Sequence, residues 1–278
     1  MTSRPFWTSV QSKEFPNAHI VTATFDNHRV DVFVPNAVTS LSPILVMHDG
    51  RNVLFPEHST GGVSWGVLDA IHDVNQSFDN PPIVVSVWIG DSQIPGARYF
   101  ELAPQNMLEE NPALWGTLLA RAEIAPAPLG GNHYHHLIVD EIIPAVQDFS
   151  GVQPTRERTA ICGSSMGGVA SLYGSILYPD VYGTVMSLST HLAFWANEFT
   201  ERLIEQLPAH PKPRIWIDRG NQDLDENYIG LHERAVDALM RRGWREGEGL
   251  AAHVFEGTGH HERAWSNRIA EILTWWLS

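Results

Sequence analysis

Apolar and polar side chains alternate along one part of this chain, from His19 to Phe25 and from Arg29 to Val34, with Asp26-Asn27-His28 between the two runs. Period-two alternation puts one face of a strand in a core and the other in water, and Asp-Asn carries turn chemistry, so an antiparallel hairpin is expected. The next β-prone runs do not alternate. Ile44–Met47, Ile83–Ile89, Ala160–Cys162, Val185–Leu188 and Ile215–Ile217 are nearly all apolar, as strands buried on both faces of a parallel sheet must be. Helical candidates fall between them, at 65–74, 133–149, 169–177, 198–207, 228–242 and 265–277. Strands alternating with helices predict an α/β fold with a mostly parallel, doubly wound sheet behind an N-terminal antiparallel hairpin. Residues 95–131 break this rhythm, being rich in Pro, Gly and Ala with a helical prospect only at 114–122. A long excursion of that kind is expected to be an insertion that helps form a pocket. With no internal repeat, a single domain over 1–278 is expected.

Composition narrows the partners. A chain of 278 residues with 43% hydrophobic side chains can build one large core. A formal charge of −14 argues against nucleic acid and anionic membrane, which call for basic patches. The lone cysteine, Cys162, excludes an intrachain disulfide and reads as a small buried residue in an apolar strand. No run of 18 apolar residues and no apolar leader segment occurs. The expectation is a cytoplasmic protein, with export open if a leader was trimmed. Nothing resembles a heptad or an interface stripe, which leaves a homo-oligomer open.

The densest chemistry lies at Thr159–Gly168, TAICGSSMGG. A β-prone run enters Gly163-Ser164-Ser165-Met166-Gly167, a match to G-x-S-x-G, and a helical pattern follows. A serine on so tight a strand-to-helix turn is strained, and its neighbours two residues away must lack bulk. Ser165 is thereby the candidate nucleophile, and the helix N-terminus would aim the Met166 N–H at an oxyanion.

A serine hydroxyl needs a base and the base needs an acid. Where chain order runs serine, acid, histidine, the base should stand near the C-terminus. His260 follows the β-like run Ala251–Phe255 and the loop Gly257-Thr-Gly259, with His261 in reserve. The acid should follow Ile215–Ile217, where Asp218, Asp223 and Asp225 all stand. Asp218 reads as the strand end and the other two as turn residues. The loop after Ile44–Met47 offers a second oxyanion donor, the Arg51 amide, while His48 and Asp49 read as structural hydrogen-bonders. The Arg51 guanidinium could face an anionic substrate group or a neighbouring carboxylate. His133, His135 and His136 lack the helical spacing of metal ligands, and no phosphate cradle or dinucleotide fingerprint is present. No metal and no cofactor is expected. Trp65, Trp88, Trp115, Trp195 and Trp265 stand near loops, where they suit either an aromatic pocket or the core.

Taken together, these blocks resemble the putative esterase family of α/β-hydrolases, relatives of enterochelin, feruloyl and acetylxylan esterases, S-formylglutathione hydrolase and the antigen 85 mycolyltransferases. VMHDGRNVLF (46–55) resembles that family's MHDGQNLF block with Arg51 in place of glutamine. RYFELAP (98–104), HLIVDEIIP (136–144), the elbow block 162–183, DRGNQDLDENY (218–228) and GTGHHERAW (257–265) resemble further blocks. The resemblance implies an α/β-hydrolase fold with Ser165 as nucleophile and His260 as base. Its L-D pattern falls on Asp225, whereas the generic hydrolase turn falls on Asp223, so both stay in play. The activity implied is hydrolysis of a small-molecule or glycoside-linked carboxylic ester through an acyl-enzyme. The alternatives are acyl transfer to an alcohol and a binding module on a retired scaffold.

Overall fold

The structure, a computed structural model, describes residues 6–10, 18–74, 80–90, 93–193 and 197–278. The hairpin forms as β2 (Ala18–Phe25) and β3 (His28–Pro35), joined at Asp26 and Asn27, both at positive φ. That geometry defines the two-residue turn whose twist matches its flanking strands. A short β1 (Thr8–Val10), which the pattern does not signal, pairs with the outer edge of β2.

The apolar runs become β4 (Ile44–Met47), β5 (Ile83–Val87), β6 (Thr159–Ser164), β7 (Thr184–Leu188), β8 (Arg214–Gly220) and β9 (Leu250–Phe255). Together with the hairpin they form one sheet in the order β1-β2-β3-β5-β4-β6-β7-β8-β9. Pairing is antiparallel from β1 through β3 to β5 and parallel from β5 to β9. The central strands are buried along their whole length, which explains why they carry no alternation.

Helices cover both faces. On one lie α1 (Val67–Val74) and α10 (Glu262–Leu277), packed together, with Trp65 and Trp265 edge-on at 5.6 Å. On the other lie α7 (Met166–Leu177), α8 (Asn197–Glu205) and α9 (Leu231–Arg241), together with the 131–150 segment. That last segment runs as α5 (Gly131–Leu137), a π-helical stretch over Ile138–Ile142, and α6 (Ile143–Ser150). Residues 97–122 are more helical than their composition suggests. They form α2 (Ala97–Leu102), α3 (Gln105–Glu110) and α4 (Pro112–Ala122), with Leu102, Met107, Leu108 and Leu118 in the core. Burial of those four side chains, each worth about 1.5–3 kcal/mol, overrides the prolines between the helices. Among the described residues no helix is long and apolar enough to cross a membrane.

Candidate active site

The parallel strands end on one edge of the sheet, the usual location of a site in open α/β folds. β6 ends at Ser164, Ser165 adopts φ 58 and ψ −121, and α7 begins at Met166. A Cβ on Gly163 would lie 2.6 Å from the Gly167 carbonyl carbon, so this crossing closes only because Gly163 lacks a side chain. The turn is clipped to the loop after β7: the Ser165 N–H donates to the Leu188 carbonyl at 2.8 Å, and the His191 N–H donates to the Ser165 carbonyl at 3.1 Å. Those bonds hold a backbone conformation that costs about 1–3 kcal/mol.

The three aspartates after β7 separate cleanly. Asp225, in a 3-10 turn over Asp223–Tyr228, is fully buried, and its Oδ1 lies 2.6 Å from His260 Nδ1. Its Oδ2 accepts from the Ser189 hydroxyl at 2.7 Å and the Gly220 N–H at 2.6 Å. Burial alone would raise the Asp225 carboxyl, but the bonds from His260, Ser189 and Gly220 hold it below the usual carboxylate range. Asp223 is exposed at φ 54, with its carboxylate against Gly259. Asp218 lies inside β8, fully buried, and receives Arg268 Nη2 at 2.7 Å and Trp216 Nε1 at 2.8 Å. Burial pushes its carboxyl up against the pull of Arg268. His261 caps α10, its Nδ1 accepting from the Ala264 N–H at 3.1 Å.

Ser165 and His260 line one cavity of about 550 Å³, together with Asp49, Arg51, Ile94, Arg98, Tyr99 and Trp265. The His260 ring bonds to Asp225, and no hydrogen bond joins the Ser165 and His260 side chains among the described residues. Catalytic hydrogen bonds are commonly loose before substrate binds. The Arg51 and Met166 N–H groups both lack a hydrogen-bond acceptor among the described residues. A Cβ on Gly50 would strike the Trp88 ring at 2.5 Å, so the Arg51 turn seats tightly on the strand beside it. Arg51 Nε donates to the His58 carbonyl at 3.1 Å rather than to a carboxylate.

On the cavity wall, Arg98 grips Asp49 in a two-pronged pair at 2.6 and 2.7 Å. His48 Nδ1 pairs with the Tyr134 hydroxyl at 2.8 Å. The three neighbouring histidines diverge: His133 meets Asp26, His136 meets Asp140, and His135 is buried. Of the tryptophans, Trp265 reaches the cavity, Trp65 is core, and Trp195 lies outside the described residues. Cys162 is fully buried and its thiol is pushed up by burial. Ser189, Tyr228, Arg98 and Arg268 were not singled out by the sequence pattern, although Arg98 and Tyr228 lie in the blocks 98–104 and 218–228.

Comparison with known proteins agrees with this architecture. The chain is 21% identical over 229 residues to the uncharacterized protein YbbA of Bacillus subtilis (strain 168), covering 79% of this chain and 88% of that one. It is 27% identical over 125 residues to the iron(III) salmochelin esterase of Escherichia coli O6:H1, covering 40% of this chain and 28% of that protein. The enterobactin esterase FES from Shigella flexneri, solved in the presence of enterobactin, superimposes with a TM-score of 0.63 at 17% identity, over 99% of this chain and 59% of that one. The chain therefore spans about three fifths of the Shigella esterase's length. The profile of the family described as putative esterase matches residues 111–276, more than half of the sequence. The chain belongs to the putative esterase family, with the fold of its α/β-hydrolase structural relatives.

Proposed function

We propose that the chain hydrolyses its ester as a serine esterase, with Ser165 as nucleophile, His260 as general base and Asp225 as the acid that orients it. The observation carrying this reading is the 2.6 Å contact of His260 Nδ1 with buried Asp225, beside a serine at φ 58 on the wall of the same cavity. With Nδ1–H donated to Asp225, Nε2 is left as the acceptor that a base requires.

In the first half-reaction Ser165 Oγ forms a bond to the ester carbonyl carbon while its proton passes to His260 Nε2. The tetrahedral oxyanion takes the free N–H groups of Met166 and Arg51. Collapse releases the alcohol, which leaves with the proton from His260. Water then attacks the acyl-enzyme, gives its proton to His260, and Ser165 recovers that proton as the acid departs. Asp223 has no part in this scheme.

A cavity of about 550 Å³ suits a compact organic ester. Pro95, Arg98 and Tyr99 line it, which supports a pocket-forming role for the 95–131 segment within one hydrolase domain. The experiment is turnover of p-nitrophenyl, aryl and feruloyl esters by wild type beside Ser165→Ala. Serine-dependent turnover is expected, and activity undiminished in the variant would remove Ser165 from the mechanism.

A further inference from the structure

The candidate acid is tied into a buried hydrogen-bond junction that the triad scheme leaves unused. The Ser189 hydroxyl, fully buried at the end of β7, donates to Asp225 Oδ2. Its oxygen receives Trp265 Nε1 at 3.0 Å and Arg268 Nη2 at 2.9 Å. An indole and a guanidinium donate and never accept, and a hydroxyl has one proton and two lone pairs. Both lone pairs are therefore taken, and the one proton is left for the carboxylate. Arg268 Nη2 places its other hydrogen on Asp218 Oδ1 at 2.7 Å, and the same oxygen takes the Ser189 N–H at 2.9 Å. That grip holds Ser189 at φ 40, in the left-handed region, a conformation that persists only where its surroundings over-determine it. Of the two donors to Ser189, Trp265 lines the cavity with Ser165 and His260 and Arg268 does not. The Trp265 ring also stands edge-on to His260, with centroids 5.1 Å apart.

We propose that Trp265 is a positioning residue of the ester hydrolysis: its ring walls the cavity while its N–H, acting through the Ser189 hydroxyl, fixes the Asp225 carboxylate against His260. The proposal rests on Asp225 and His260 forming the acid–base pair that serves Ser165. Asp225 serves that pair while Oδ1 faces His260 Nδ1, which requires Oδ2 to stay in place. Two donors hold Oδ2, the Gly220 N–H and the Ser189 hydroxyl. The Gly220 donor is fixed by the backbone of β8. A hydroxyl rotates about its C–O bond, and it becomes an equally fixed donor once both of its acceptor sites are filled. Trp265 fills one of them and Arg268 the other. Each bond in such a chain polarises the next, so the indole N–H strengthens the Ser189 donor as well as aiming it. No proton travels along the chain, and the indole and guanidinium keep theirs throughout the cycle.

The test is a double-substitution cycle read as kcat and KM on a p-nitrophenyl ester, with wild type, Trp265→Phe, Ser189→Gly, the two substitutions together, and Asp225→Asn. Trp265→Phe keeps a ring on the wall and removes the N–H. Ser189→Gly removes the hydroxyl and leaves a residue that adopts positive φ freely. Each single substitution is expected to lower kcat about threefold to tenfold, the size of one hydrogen bond. Together they should lower kcat no further than Ser189→Gly alone, because without the hydroxyl the indole N–H has nothing to aim. Any change that Trp265→Phe makes in KM belongs to the wall and should carry over unaltered into the double variant. If Trp265→Phe fails to fold, Trp265→Met takes its place in the cycle. A kcat loss in the double variant equal to the product of the two single losses would overturn the inference. So would wild-type kcat in either single variant while Asp225→Asn is impaired. Wild-type kcat in Asp225→Asn would instead overturn the acid–base pair on which the inference rests.

Discussion

The Ser189 hydroxyl donates to Asp225 Oδ2 across 2.7 Å, bridging 36 positions of sequence. The same oxygen receives Trp265 Nε1 at 3.0 Å and Arg268 Nη2 at 2.9 Å, and Arg268 is in turn tied to Asp218. A buried ion pair thus abuts the candidate acid through one hydroxyl. Ser189→Ala removes a donor from Asp225 and the acceptor of two buried N–H groups. The expected result is a loss of about 1–3 kcal/mol in denaturant unfolding, with kcat falling less than in an Asp225 variant. A variant as stable as wild type would show that the junction does not hold the acid loop.

Asp225→Asn separates two aspartates that the turn sequence leaves equivalent. To keep its oxygen on the Ser189 and Gly220 donors, the new amide must present its NH2 to His260 Nδ1, forcing the tautomer with the proton on Nε2. Loss of activity by about a thousandfold or more is expected, as for other triads held in the wrong tautomer. Asp223→Asn should leave kcat unchanged on the same substrate. The reverse ranking would move the acid role to Asp223.

Arg98 and Asp49 hold the cavity's inner wall. Arg98→Met strands a carboxylate whose side chain is 5% exposed. Because the guanidinium itself keeps about a third of its surface in water, the expected loss is about 3 kcal/mol, the low end for breaking a buried pair. Urea unfolding measures it. A loss under about 1 kcal/mol would class the pair with surface bridges.

Three buried histidines set the response to acid. Burial, with Arg98 nearby, pulls His48 down to about 3; burial, with Arg219 nearby, pulls His232 to about 4; burial and His48 pull His135 well below its ordinary value. Below a pH of about 6.5 the unfolded chain binds protons at these positions that the folded chain does not, so each removes about 1.4 kcal/mol of stability per pH unit. That loss continues as pH falls, until the folded groups themselves titrate. The His135 ring nitrogens have no hydrogen-bond partner among the described residues, so His135→Leu should flatten the unfolding free energy between pH 6 and 5 with little change at pH 8. An unchanged slope would show that His135 is protonated in the fold.

Local pattern carried much of this structure. The hairpin, the apolar strands and the Gly163–Gly167 turn each depend on residues within a few positions of one another, so their signatures lie in short windows. The choice between Asp223 and Asp225 does not. It depends on a 3-10 turn that directs Asp225 under β8 and leaves Asp223 at the rim. Tyr228, Ser189 and Arg268 meet their partners across 29 to 79 residues of chain, and such pairs leave no periodic trace. The helices at 97–110 were hidden for another reason: Gly96 before them and Pro104 between them speak against helix locally, and burial of Leu102, Met107 and Leu108 prevails.

The cavity draws its walls from two separate parts of the chain. Ser165, His260 and Trp265 come from the later part, while Asp49, Arg51, Ile94, Arg98 and Tyr99 all precede residue 111, where the family match begins. The candidate nucleophile and base and most of the cavity wall are therefore encoded by different stretches. A hybrid carrying the first 110 residues of a relative would exchange most of that wall, the Arg51 amide included, while keeping Ser165, Asp225 and His260. Exchange at that boundary would vary the fit of a substrate separately from the candidate triad.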